Sequence, residues 1–514
     1  MKEILRMQNI VKIYPNGVVA NKGINFSVDF GEIHALAGEN GAGKTTLMKI
    51  LFGIEEPSGG QIFYEGREIR VRSSLDAIHK GLGMVHQHFM LVESMTVAEN
   101  VVLGMEPVKG GFLNHKKMLS SAEKIIKKYN FSINPKSRIR DLPIGTRQKV
   151  EILKALFREA KLLILDEPTA VLTPQETTEL FHELKILRDM GHTIIFISHK
   201  LNEIKEICDR ITIMRNAKLV GVYDVAKVSK QEISNLMVGK DMDWNIHKTP
   251  IQSGEFILKV NNLGVVDEAK RHLLRGINFS LRGGEILGIV GVEGNGQREL
   301  VESITGLRKP DTGRVELFGK DIASLSIKQI RNSGMAHIPQ DRMTKGAALQ
   351  STVEENLISV SFDRDHACGP FLNRKEIDLW SRKLIRDFQI KADSPDVPVK
   401  MLSGGNIQKV VVAREFAGQG KCIVADQPTR GIDVGAARFI HRKLLQMRDS
   451  GAAILLVSAD LSEIMDLSDN LLVIYGGRGV AFFESASGVS EEELGLYMLG
   501  IKKQSEEELQ RLLA

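Results

Sequence analysis

Eight consecutive residues carry the first chemistry legible in this chain: Gly38-Glu39-Asn40-Gly41-Ala42-Gly43-Lys44-Thr45. Every position fits the pattern GxxxxGK(S/T). The glycines let the backbone wrap a phosphate with its N–H groups. A helix expected from Thr46 onward would turn its positive end toward the same anion. In that arrangement Lys44 reaches the β- and γ-phosphates of a nucleoside triphosphate, and the Thr45 hydroxyl binds Mg²⁺. The strand Ile33-His34-Ala35-Leu36-Ala37 precedes the loop, as such a loop requires. A second group, Asp166-Glu167, ends the apolar run Leu162-Leu163-Ile164-Leu165. Alone, two acids after a strand usually cap a helix or face solvent. Downstream of this loop they read as a Walker B segment. Asp166 then holds Mg²⁺ through water, and Glu167 polarises the attacking water, a role worth ~10²–10⁴ in rate.

The elements that position these groups occur twice. Lys22-Gly23-Ile24-Asn25-Phe26-Ser27 returns as Arg275-Gly276-Ile277-Asn278-Phe279-Ser280, and Gly60 to Gly66 returns as Gly313 to Gly319, both 253 positions later (275 − 22 and 313 − 60). Thr96-Val97-Ala98-Glu99-Asn100 returns as Thr352-Val353-Glu354-Glu355-Asn356. Asp166 and Asp426 are 260 apart (426 − 166), so the second copy has gained about seven residues (260 − 253), in a polar stretch near 363–370. A period this long means duplicated domains, not a solenoid.

Each copy opens with short alternating β runs, passes through the loop and its helix, and has a helix-rich middle, about 90–155 in the first copy. Buried strands such as 162–165 and 193–197 follow. Apolar strands alternating with helices imply a largely parallel sheet covered on both faces. The first domain is expected over 1–240 and the second over 255–502, with a polar linker at 241–254. Residues 503–514 read as a charged amphipathic helix, a solvated or docking tail.

In the second copy, Leu402-Ser403-Gly404-Gly405-Asn406 lies upstream of the Asp426 strand and is close to the signature LSGGQ. With it, the chain resembles the ATP-binding cassette (ABC) family along nearly its whole length and in both copies. The resemblance implies an α/β fold of two tandem P-loop ATPase domains, each with a mixed-sheet core, an antiparallel β subdomain and a helical subdomain. It implies ATP and Mg²⁺ as cofactors. It also makes Gln87 the Q-loop residue that senses Mg²⁺ and a membrane partner, His199 the switch histidine on the γ-phosphate, and Tyr14 the residue that stacks on adenine. Taken singly, Gln87 sits in a His86-Gln87-His88 cluster that reads as a metal-type group or as loop histidines, and Tyr14 as an ordinary strand aromatic.

In this family the signature of one domain closes over ATP held by the other. Site one therefore takes Gly38 to Thr46, Asp166, Glu167 and His199 from the first copy. Its lid is Ser403, Gly404, Gly405 and Asn406 from the second, with Asp433 of Gly431-Ile432-Asp433 as the D-loop acid. Site two is depleted. Gln297 and Arg298 replace the lysine and the hydroxyl of the loop Gly291 to Arg298, although Arg298 could supply positive charge. The Walker B strand ends Asp426-Gln427, and Ala459 stands at the switch position. The matching lid is Leu142-Pro143-Ile144-Gly145-Thr146, and Thr173 takes the D-loop position. An amide cannot act as a base, and Pro143 has no N–H. The losses fall on one composite site and spare the other, which supports head-to-tail association of the copies. In the alternative, the second copy is a decayed structural partner.

The bulk properties fit this reading. At 514 residues the chain exceeds one ordinary core. With 43% hydrophobic and 26% charged residues it is a globular composition, and a net charge of +5 is too mild for a nucleic-acid footprint. Cys208, Cys368 and Cys422 have no metal-type spacing and read as small buried hydrophobes. No apolar run approaches the ~18 residues that span a bilayer, and no signal-type apolar core follows Met1.

The resemblance narrows further, to ATP-binding subunits of bacterial importers for simple sugars and nucleosides. Gly83-Met84-Val85-His86-Gln87-His88-Phe89, Gly294-Asn295-Gly296-Gln297 and Thr429-Arg430-Gly431-Ile432-Asp433-Val434-Gly435 are closer to the nucleoside branch. Gln340, where an acid is expected in relatives, and the degraded first signature depart from the pattern. The resemblance implies two transmembrane permease subunits and an extracellular substrate-binding lipoprotein or periplasmic protein as partners. It implies a peripheral location on the cytoplasmic face of the membrane, with no nucleic acid and no contact with the transported solute. A simple sugar such as ribose or galactose is the alternative cargo. A soluble tandem ATPase acting on ribosomes or DNA, and a scaffold without turnover, are further alternatives.

Overall fold

A computed structural model describes residues 3–15, 17–39, 41–86, 89–169, 172–198, 200–239, 248–249, 254–362, 367–368, 371–418, 420–505 and 507–509. The chain divides into two compact units, Met1–Trp244 and Asn245–Ala514. Most of the linker and of the seven-residue gain near 363–370 lies outside the described residues.

The first unit holds a four-stranded antiparallel sheet in the order Val19–Asp29, Glu3–Ile13, Gly59–Tyr64, Arg67–Ile69. Beside it stands a six-stranded sheet in the order Lys218–Asp224, Arg210–Arg215, Ile33–Gly38, Thr193–Ile197, Leu162–Asp166, Leu82–Val85. Only the Lys218–Asp224 edge strand runs antiparallel to its neighbour. The three inner strands from Ile33, Thr193 and Leu162 are buried at every residue, as expected of a sheet covered on both faces. The helix Lys44–Leu51 contributes Leu47, Met48, Ile50 and Leu51 to a core shared with the antiparallel sheet. The helices Val97–Val102, His115–Lys128 and Ile144–Phe157 form the helical part.

Parallel register brings the chemistry to one edge. Ile197 pairs with both Leu36 and Asp166. The loop after Gly38, the acids after Leu165 and the segment after Ile197 thus leave the sheet together at the carboxyl ends of its strands, where open α/β sheets bind ligands.

The second unit repeats both sheets. The antiparallel one runs His272–Arg282, Phe256–Val266, Thr312–Leu317, Lys320–Asp321, and the larger one Met335–Ile338, Cys422–Asp426, Ala453–Val457, Ile286–Val290, Asn470–Tyr475, Arg478–Phe483. The repeated peptide at Thr96 and Thr352 has a local explanation. Both threonines begin a helix with a reciprocal capping box, to Glu99 and Glu355. Asn100 and Asn356, both buried, donate back to the carbonyls of Val92 and Ala348 at 3.1 and 3.0 Å.

The tail bears out the expected helix only in part. Residues 503–505 are not helical, and 507–509 form the only described helical turn there. Gln504 instead pairs with the edge strand: its N–H donates to Val480 O at 2.9 Å, and its side chain exchanges bonds with the Phe482 backbone at 2.7 and 3.0 Å. An unpaired strand edge outcompetes helix propensity in so short a segment.

Candidate functional site

The loop of the first unit closes around Lys44. Its Nζ donates to Gly38 O at 2.7 Å and to Glu39 O at 3.0 Å. Gly43, at φ 99°, is required: a Cβ there would meet Ala20 O at 2.2 Å. Gly43 also ends the loop without a side-chain cap, so the first N–H groups of the helix Lys44–Leu51 have no intrahelical partner and can turn to an anion. Burial pulls the Lys44 ammonium below its ordinary value, and the charges of Glu167, Asp166 and Glu39 oppose that. Burial and then Glu167's charge lift the Asp166 carboxyl to about 6, against Lys44 and Lys49.

Glu167 itself is half-buried and held at φ 48°, with its N–H donating to Ile197 O at 2.9 Å. A left-handed non-glycine residue at the end of a strand stores strain of ~1–3 kcal/mol. Thr45 is exposed at the head of the helix, and the Tyr14 hydroxyl lies 3.4 Å from Thr46 Oγ1. An ammonium, two adjacent carboxylates, a hydroxyl and uncapped N–H groups form a donor set that fits a triphosphate with a hard divalent cation. Asn40, Gln87 and His199 lie outside the described residues.

The second unit keeps this frame without the charges. Gly296, at φ 107°, would clash with Leu274 and with Leu273 O if it carried a Cβ. Gln297 Nε2 donates to Val292 O at 3.0 Å. Arg298 pairs with Glu302 at 3.0 Å along the same helix, and its side chain stays exposed. Burial raises the Asp426 carboxyl to about 7, opposed by Arg430, by the Gln340 backbone N–H and by Lys345. Gln427 repeats the strained backbone, φ 51°, and its side-chain oxygen accepts from the Ala459 N–H at 3.0 Å. Gln297 and Arg298 stand in place of the lysine and the metal-binding hydroxyl, so this loop offers Mg²⁺ fewer ligands than the first.

The signature segments differ in the opposite sense. Ser403 caps the helix Gly404–Ala417, and Asn406 Nδ2 donates to Ser403 Oγ at 2.9 Å. Asp433 caps the helix Val434–Asp449 and lies against Gly405, where a Cβ would stand 2.7 Å from Asp433 Oδ2. Arg342 ties this region down by donating to the carbonyls of Arg430 and Gly431 at 2.6 and 3.0 Å.

In the first unit Pro143 provides no side-chain cap, and Thr173 stands at the acid's position. Yet an acid is present. Glu176, three residues on, accepts from the Thr173 N–H at 3.0 Å and from the Gly145 N–H at 3.1 Å. It fills the space beneath Gly145 that Asp433 fills beneath Gly405. Sequence reasoning registered the loss at Thr173 and missed Glu176. The signal was the capping-box spacing Thr173 to Glu176.

The model of the ABC transporter family matches residues 21–170 and 274–430, one segment in each unit. A guanosine import ATP-binding protein of Bacillus subtilis is 43% identical over 97% of this chain and 98% of its own. A nucleoside import ATP-binding protein of Lactococcus lactis subsp. cremoris is 40% identical over 97% and 98%. A glucose import ATP-binding protein of Haloferax volcanii is 40% identical over 96% of both chains.

Proposed function

This chain belongs to the ABC transporter family, and from that premise we propose that it is the ATP-binding subunit of a nucleoside importer that hydrolyses ATP on its first unit. The observation that carries the substrate class is end-to-end similarity, 43% and 40%, to proteins named for guanosine and nucleoside import. The chemistry is supported by the buried Lys44 beside Asp166 and Glu167, against Gln297 and Gln427 in the second unit.

In this reading the N–H groups of residues 41–46 and Lys44 bind the triphosphate, and Tyr14 stacks on the adenine. Thr45, Asp166 and Gln87 hold Mg²⁺, which when bound offsets charge on the phosphoryl oxygens. Glu167 orients the attacking water and polarises its O–H bond, and His199 contacts the γ-phosphate. Ser403, Gly404, Gly405 and Asn406, with Asp433, supply the lid of this site. That role is supported by the sequence pattern, in which every loss falls on the other set. Two permease subunits and an extracellular substrate-binding lipoprotein or periplasmic protein complete the importer. No described helix is long and apolar enough to cross a membrane, so the chain would work peripherally, at the cytoplasmic face.

A simple sugar is the second reading, favoured by the 40% identity with the glucose import protein. Uptake of labelled nucleosides, with sugars as competitors, separates the two in cells carrying Glu167→Gln and lacking other nucleoside importers. Loss of nucleoside uptake, with the parent's uptake indifferent to excess sugar, supports the first reading. Normal nucleoside uptake with lost sugar uptake supports the second.

A further inference from the structure

Glu203 is a buried carboxylate that none of the roles above uses. It sits in the helix Leu201–Ile207, in an apolar stripe with Ile204 and Ile207. Its Oε1 accepts from Thr169 Oγ1 at 2.6 Å, and its Oε2 accepts from Ser198 Oγ at 2.9 Å. Thr169 follows Glu167 by two residues, and Ser198 immediately precedes His199. Both hydroxyls are buried, so each requires a partner. Ser198 Oγ also accepts from the Lys200 N–H at 3.1 Å, and Lys200 Nζ lies 3.2 Å from Glu203 Oε1. One carboxylate therefore joins the two segments that carry the acid and the histidine of the site.

The second unit has the same residues and lacks the bridge. Glu463, Thr429 and Ser458 stand 260 positions on (463 − 203, 429 − 169, 458 − 198). Thr429 Oγ1 still donates to Glu463 Oε1 at 2.8 Å. The second arm is gone: among the described residues Glu463 Oε2 has no hydrogen-bond partner. His441, which stands where the first unit has Phe181 (441 − 260), contacts Glu463 Oε1 at 2.7 Å. The two-armed bridge accompanies Glu167 and His199, and is halved where Gln427 and Ala459 replace them.

We propose that Glu203 is a positioning residue for ATP hydrolysis, a buried strut that fixes the segment after Glu167 relative to the segment before His199. It touches neither nucleotide nor water. It sets the spacing between the group that orients the water and the group that meets the γ-phosphate. This rests on the reading of the first unit as the hydrolytic one.

The test uses the full chain in its assembled importer and compares Glu203→Ala, Thr169→Val, Ser198→Ala and Glu463→Ala with the parent and with Glu167→Gln. Misplacing a catalytic group by ~1 Å costs up to ~10²-fold. On that scale Glu203→Ala is expected to lower kcat by about 10-fold or more, with ATP affinity and melting temperature near the parent's. Thr169→Val and Ser198→Ala each give part of that loss. Glu203→Gln, which keeps one acceptor oxygen, falls between parent and alanine. Adding Glu203→Ala to Glu167→Gln lowers kcat no further, because residues acting as one unit are not additive. Glu463→Ala leaves kcat unchanged.

An unaltered kcat in Glu203→Ala overturns the proposal. So does a loss of affinity or stability in proportion to kcat, since that is what a merely structural carboxylate would give. Full turnover in Glu167→Gln would instead overturn the reading of the first unit.

Discussion

Lys44 in the first unit and Gln297 in the second do the same mechanical work. Each donates to the carbonyl of the loop's second residue, Glu39 or Val292, at 3.0 Å. Glu167 and Gln427 likewise share a left-handed backbone, φ 48° and 51°, and each donates its N–H to the neighbouring strand, at 2.9 and 2.7 Å. What differs is charge. The first loop sets an ammonium against two carboxylates. The second has amides at both places, and its remaining acid is pushed up to about 7. The backbone that a phosphate loop needs is thus separable from the electrostatics that act on the phosphate. A glycine frame is weak evidence of chemistry unless the charged side chains come with it.

The comparison breaks most visibly at the two loop residues. Lys44→Ala removes charge-assisted bonds to phosphate, each worth ~1.5–3 kcal/mol. It is expected to weaken ATP binding by about 10²-fold or more in a fluorescent-nucleotide titration, whereas Gln297→Ala leaves that binding unchanged. Comparable losses from both would make the second loop an equal nucleotide holder.

The signature segments come next. Ser403→Arg is expected to cut phosphate release by on the order of 10²-fold, the range seen when a transition-state donor is lost. Pro143→Arg, at the mirror position, leaves release at the parent rate. Indifference to Ser403→Arg would detach the second unit from the working site.

The acids sharpen the contrast through pH. Asp426 holds its proton more tightly folded than unfolded. Its contribution to stability is therefore full below its ordinary value of 3.8 and is lost as pH rises through about 7. Asp426→Asn removes that slope and raises the stability of the second unit near pH 8 by ~1–3 kcal/mol, with little effect near pH 4. Melts at the two pH values read it, and an equal shift at both would mean that burial of the charge is not the cause.

The smallest expected effect belongs to Glu176. Glu176→Ala should cost about 1 kcal/mol of first-unit stability, through the lost cap and the freed Gly145 N–H, with turnover unchanged. Denaturant unfolding measures the first and phosphate release the second.

The loops, the Walker B acids and the duplicated sheets were legible because each is written in a short stretch of chain. Apolar runs of five residues gave the inner strands. What stayed hidden depends on contacts across long separations. Glu203 meets Thr169 from 34 residues away, and Glu176 meets Gly145 from 31. Nothing in the local pattern marks Glu203 as more than a helix acid, and Glu176 shows only its capping-box spacing from Thr173. The partner of Arg298, Glu302, stands four residues on, a spacing at which helical charges meet. The start of the tail was misread for another reason: residues 503–505 were expected in a helix, while the free edge of strand Arg478–Phe483 was invisible without the sheet order.

Steady-state phosphate release from the assembled importer, with Glu167→Gln set beside Gln427→Ala, tests the single working site most directly. One hydrolytic site predicts a fall of ~10²–10⁴-fold for Glu167→Gln, the range for a lost general base, and the parent rate for Gln427→Ala. Equal losses in the two variants, or full turnover in Glu167→Gln, would contradict it.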